Sequence, residues 1–127
     1  MEVKRVDVLG RKYKISSKPP KKHPHLPMEY MGLCMDDIAQ IYLNPNLREG
    51  EEYWTTLFHE IGHAIMYRNG VRFSGAIPLE LEEIIVETMA SGYYSLMKQM
   101  FKEMMKDDDG TSDLYRDKIL SFARETR

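Results

Sequence analysis

Cysteine is almost absent from this chain of 127 residues, where Cys34 stands alone. One thiol excludes an internal disulfide and fits a reducing compartment. It also argues against a purely structural zinc site, because such sites close with four ligands rich in cysteine. An excess of either charge is missing too. The 18 Lys and Arg against 20 Asp and Glu leave a net charge of −2, so bulk electrostatics give no reason to expect a nucleic-acid partner. No apolar run approaches the roughly eighteen residues that span a bilayer. The first residues alternate charge with Val rather than forming an apolar leader. These absences give the expectation of a cytoplasmic protein with neither nucleic acid nor membrane as partner. The hydrophobic fraction of 43% is not in the disordered range, and the length suits a single domain over residues 1–127 with its own core.

Histidine is scarce as well, with four in the chain, and two of them lie in the most informative stretch, His59-Glu60-Ile61-Gly62-His63. In an α-helix positions four apart share a face. His59 and His63 would therefore aim their imidazoles at one spot, which suits Zn²⁺ with its preference for neutral nitrogen ligands. Glu60 would stand beside that ion without binding it, where a general base for an activated water is needed. The surrounding pattern supports a helix. Trp54, Leu57, Phe58, Ile61 and Ile65 fall at i, i+3, i+4, i+7 and i+11 and make one apolar face, with the two histidines beside it. A helix packed on that face holds the imidazoles in a cleft rather than in the core.

The rest of the chain arranges itself around this helix. Residues 1–17 read as a β-hairpin, with Val6 and Val8 alternating with Arg5 and Asp7, Tyr13 and Ile15 alternating with lysines, and Gly10 in the turn. Residues 18–29 hold Pro19, Pro20, Pro24 and Pro27, which favour an extended loop, together with His23 and His25. Residues 30–44 suggest a second hairpin, Ile41 and Leu43 facing one way and Gln40 and Tyr42 the other. An edge strand beside a catalytic helix can pair with an extended peptide. The metal helix is expected over 47–69, with Asn46 as N-cap and Asn69-Gly70 as its stop. A second helix is expected over 78–105, opened by Pro78, with Leu81, Ile84, Ile85, Met89 or Ala90 and Leu96 among its apolar positions. After the acidic turn Asp107–Asp109, a short helix over 111–126 carries Tyr115, Ile119 and Phe122.

A catalytic zinc site takes three protein ligands and keeps one position open. No His follows His63 and no Asp lies between His63 and Asp107. The longer H-E-x-x-H-x-x-G-x-x-H pattern fails, with Met66 and Asn69 at its Gly and His positions. What remains is a glutamate of the second helix or an upstream histidine. Glu83 and Glu87 share a helical face. Glu87 is favoured because it sits among Ile84, Ile85, Val86, Met89 and Ala90, where an unpaired charge is costly. Glu83 comes next, then His23 or His25. A carboxylate left over could accept the outer N–H of one imidazole.

Thr56 to Ala64, taken with Glu83 to Ala90 and the lead-in Ile41 to Leu47, resembles the small zincins of the gluzincin type. The nearest are the ImmA/IrrE-like zinc peptidases and the compact H-E-x-x-H proteins of phages and mobile elements. The resemblance covers roughly residues 31–97. It implies an α+β, minimal zincin-like fold, in which a small antiparallel sheet packs on the metal helix and the next helix supplies the third ligand. It carries His59, His63 and Glu87 over as ligands of one Zn²⁺ and Glu60 as base. The implied activity is hydrolysis of a protein or peptide substrate, in a regulatory setting. Tyr94, Tyr93, Tyr30 and His25 are candidates to steady the developing oxyanion. The alternative is a zinc-binding interaction module that docks a partner without cutting it.

Overall fold

The computed structural model describes residues 2–19 and 30–106, with the side chains of Arg72 and Phe73 outside that description. Most of the Pro-rich stretch, with His23 and His25, and the last helix expected over 111–126 therefore lie outside the described residues. The elements are β1 (Arg5–Val8), β2 (Arg11–Ser16), β3 (Gly32–Met35), a 3₁₀ turn (Asp36–Ile38), β4 (Gln40–Leu43), α1 (Glu51–Arg68), the single turn α2 (Val71–Ser74) and α3 (Leu79–Lys106). No helix among the described residues is long and apolar enough to cross a membrane.

β1 and β2 are joined by the two-residue turn Leu9-Gly10, with Val8 opposite Arg11. Both turn residues have positive φ, 51° and 90°, the twist that a tight hairpin demands. The Asp7 carboxylate accepts the Gly10 N–H at 2.8 Å and holds the turn. The four strands form one sheet in the order β1-β2-β4-β3. The sheet is mixed, and this corrects the antiparallel expectation. β1–β2 and β3–β4 are antiparallel, but β2 and β4 run parallel, with Ile15 opposite Ile41. A parallel pair needs a long crossover, and residues 17–31 between β2 and β3 allow one. Among the described residues β4 is thus a central strand and β3 an edge. Ile41, Tyr42 and Leu43 are all buried, so β4 is covered on both of its faces.

α1 begins later than the sequence suggests. Asn46 does not cap it. Its N–H bonds instead to the Asn44 side chain at 2.8 Å, and Leu47 N–H bonds to the Asn44 carbonyl at 3.2 Å, so 44–47 closes on itself as a turn. Gly50, at φ 92°, precedes the first helical residue. α1 then lays Trp54, Leu57 and Ala64 on a core shared with Val8, Tyr13, Ile15, Ile41, Leu43 and Tyr94, while Phe58 and Ile61 pack at its margin.

α3 turns a different face inward from the one its apolar residues suggest. Its buried residues are Glu82, Val86, Ala90 and Tyr94, one per turn. Leu81, Ile84, Met89 and Leu96 stand exposed. The helices approach closely where Gly62 of α1 meets Val86 of α3. A Cβ on Gly62 would lie 2.9 Å from Val86 Cγ1. Glycine at this crossing lets the two backbones close up, and it sets the height at which the acidic turn of α3 meets the histidines of α1.

Candidate metal centre

Three elements build the site. α1 carries His59, Glu60 and His63 on consecutive turns, and their ligand atoms lie within 4.8 Å of one another. The two imidazoles bring Nε2 to Nε2 at 3.2 Å. α3 runs alongside and presents three carboxylates from two successive turns. Glu83 reaches both rings on their facing nitrogens, with Oε2 3.2 Å from His59 Nε2 and Oε1 3.1 Å from His63 Nε2. Glu87 meets the far side of the first ring, its Oε2 2.6 Å from His59 Nδ1. Glu82 meets the far side of the second, its Oε2 2.7 Å from His63 Nδ1.

Both histidines and both candidate third ligands singled out from the sequence are thus brought together, but the two glutamates hold unequal places. The reason for preferring Glu87 does not survive the packing. Its side chain is 67% exposed, because its apolar neighbours Ile84 and Met89 face outward. The carboxylate in costly surroundings is Glu82, 2% exposed, which sequence reasoning passed over. The signal was there in the spacing, since Glu82 begins the four-residue stripe that continues through Val86, Ala90 and Tyr94.

β3 closes the site from the sheet side. Gly32 lies against α1 so closely that a Cβ there would sit 3.0 Å from both Glu60 Cγ and Thr56 Cγ2. The backbone N–H of Cys34 donates to the Glu60 carboxyl. Burial is the largest influence on Glu60 and pushes its carboxyl up to about 7, with Glu83 and Glu87 adding to the rise and His59 and the Cys34 bond opposing it. A near-neutral carboxyl in a cleft is suited to carrying protons.

A cleft of about 300 Å³ opens beside these groups, lined by Tyr30, Gly32, Leu33, Cys34, His59, Glu60, His63, Tyr67, Leu79 and Glu83. Of the tyrosines considered as oxyanion donors, Tyr30 lines this cleft. Tyr94 packs in the hydrophobic core instead, and Tyr93 is exposed on α3. Tyr67 also lines the cleft and was not singled out. Its position, four residues beyond His63 on the same helical face, is the clue that sequence offered.

Two imidazoles and a buried glutamate on one helix, an acidic second helix and a small sheet beside them define a compact zincin-like α+β fold. Residues 14–125 match the model of the M78 peptidases, described as an IrrE N-terminal-like domain, and the chain belongs to this ImmA/IrrE zincin family. Membership supports a metallopeptidase-type function. No curated protein and no solved structure matches the chain.

Proposed function

We propose that the protein is a zinc-dependent peptidase in which His59, His63 and Glu83 hold one ion and Glu60 is the general base. The observation that carries this reading is the cluster of donor atoms, in which the Glu83 carboxylate spans the two facing imidazole nitrogens. Tetrahedral Zn²⁺ with ligands at about 2.0–2.1 Å sets neighbouring donors about 3.3 Å apart. Here the two Nε2 atoms lie 3.2 Å apart, and Glu83 brings one carboxylate oxygen 3.2 Å from His59 Nε2 and the other 3.1 Å from His63 Nε2. The donor set also fits, since two neutral imidazoles and a carboxylate are what such catalytic sites use. Glu87, preferred from the sequence, is read here as a carboxylate that orients His59 through its outer nitrogen.

A zinc ion supplies Lewis acidity toward a peptide carbonyl and lowers the pKa of water toward about 7. The residues of the chain do the rest. Glu60 stands beside both donor nitrogens, takes a proton from the attacking water and returns it to the leaving amine. Gly32 keeps the approach to Glu60 clear. β3, the sheet edge nearest the site, offers backbone groups to an extended segment of a protein or peptide substrate. Tyr30 and Tyr67 offer phenolic donors from the wall of the cleft.

Metal analysis of the purified protein and cleavage of a mixed peptide library test the reading together. One zinc per chain is expected. Glu83→Gln loses zinc affinity to a greater degree than Glu87→Gln, and Glu60→Gln keeps its zinc but cuts nothing. Cleavage by Glu60→Gln would remove the general base from the account. A larger loss in Glu87→Gln would exchange the two glutamates.

A further inference from the structure

Three glutamates of α3 surround the imidazoles, and burial separates them. Side-chain exposure is 51% for Glu83, 67% for Glu87 and 3% for Glu82. A charged group removed from water is costly unless it is paired and hydrogen-bonded. Glu82 occupies a position where the stripe it begins is otherwise filled by Val86, Ala90 and Tyr94, so a leucine would serve the packing better. What a leucine could not provide is the 2.7 Å contact to His63 Nδ1.

We propose that Glu82 is the positioning residue of the metal centre and acts through His63. The inference rests on reading the centre as a zinc site. An ionised carboxylate only accepts hydrogen bonds, and of the two carboxylates on His63 the buried Glu82 is the nearer, at 2.7 Å from Nδ1 against 3.1 Å from Nε2 to the exposed Glu83, so the single ring proton of the neutral imidazole is assigned to Nδ1. In a neutral imidazole the other nitrogen is then a lone pair. Nε2, facing His59 and Glu83, is left as the donor atom that a metal needs. Burial makes this arrangement firm, because almost no water competes for Nδ1. Glu87 makes the matching contact to His59, but from an exposed position where water can take over the bond. The two outer carboxylates are therefore unequal, and the buried one sets the geometry.

The test compares Glu82→Gln with Glu87→Gln, by zinc affinity in competition with a chromogenic chelator and by ¹⁵N–¹H spectra of the imidazoles in zinc-free protein. The spectra are taken at about pH 8, where an ordinary imidazole is neutral. Gln keeps the size of Glu and a carbonyl that accepts, so the fold is retained while the charge is lost. Glu82→Gln is expected to lower zinc affinity by about 10- to 100-fold, and Glu87→Gln by less. In zinc-free wild-type protein His63 is expected as the Nδ1–H tautomer, and in Glu82→Gln as a mixture. Such a change in tautomer is not produced by a residue that merely fills space. Unchanged zinc affinity in Glu82→Gln, or an Nε2–H tautomer of His63 in the wild type, overturns the proposal. If Glu82→Gln fails to fold, the wild-type tautomer alone decides. Wild-type protein that shows the Nδ1–H tautomer but takes up no zinc overturns the metal reading instead, so the two failures are told apart.

Discussion

Replacing Gly62 with alanine puts the helix crossing to a quantitative test. The new Cβ would lie 2.9 Å from Val86 Cγ1 and 3.4 Å from Cγ2, whereas carbon atoms pack best at about 3.5–4.0 Å. Val86 is 2% exposed, and a β-branched side chain on a helix has one strongly preferred rotamer. It cannot swing away, so the helices must part by about 0.6–1 Å to restore ordinary contact. Overpacking of this kind costs about 1–3 kcal/mol. Alanine returns about 1 kcal/mol through its better helix propensity, which leaves a net loss of about 0–2 kcal/mol in urea unfolding of the zinc-free protein. The centre should feel the change more sharply than the fold. Glu83 rides on α3 and the histidines on α1, so the 3.1 and 3.2 Å distances from its two oxygens to the imidazoles lengthen as the helices separate. If about 1.4 kcal/mol of the strain falls there, zinc affinity drops about tenfold. Adding Val86→Ala removes the methyl that clashes, and the pair should show a favourable coupling of about 1–2 kcal/mol relative to the two single changes. A Gly62→Ala protein that gains about 1 kcal/mol with zinc affinity unchanged would refute the tight crossing and with it the account of how α3 is placed.

Two further outcomes follow from groups away from the centre. Tyr13 is fully buried and its O–H donates to Asp36 at 2.5 Å. Burial first, and the Asp36 bond second, push its phenol from 10.0 up to about 12. A raised pKa favours the protonated, folded form, so the stabilisation is complete below pH 10.0 and is lost between there and about pH 12. Tyr13→Phe should flatten that part of the curve of urea midpoint against pH and cost about 1–3 kcal/mol at neutral pH; an unchanged alkaline slope would count against the buried bond. Leu9 holds φ at 51° while 61% exposed, a conformation that asparagine tolerates better. Leu9→Asn should raise stability by about 0.5–1 kcal/mol in thermal unfolding, and a loss would show that Leu9 makes contacts worth keeping.

Much of the architecture could be read from the sequence because local chemistry fixes it. Leu9-Gly10 between alternating strands announces a tight turn, Asn69-Gly70 ends α1 with Gly70 at φ 70°, and H-E-x-x-H at helical spacing brings two imidazoles together. The parts that could not be read depend on distant pairings. Nothing near residues 11–16 or 40–43 says that β2 and β4 will lie side by side and parallel. Helical period puts Glu83 and Glu87 on one face, but which of them is level with the imidazoles depends on where α3 crosses α1. That height is set by Gly62 against Val86, a contact invisible in either segment alone. The inward face of α3 was obscured for a related reason. Its apolar residues suggest one stripe, while the acidic centre and the small residue Ala90 favour another.

The two rims of the sheet are defended differently. β1 carries Arg5 and Asp7, charges that discourage a second chain from pairing there. β3 reads Gly32-Leu33-Cys34-Met35 and carries no charge at all, and among the described residues no strand pairs with its outer side. Its main safeguard is brevity, four residues against α1. A rim this bare, which the proposed reading gives to an extended substrate, is also a rim along which two copies can zip together. If β3 receives the substrate as proposed, resistance to self-pairing and reach toward a peptide are set by the same four residues, and a charge introduced at Leu33 to prevent clumping would be placed on the strand that the peptide meets.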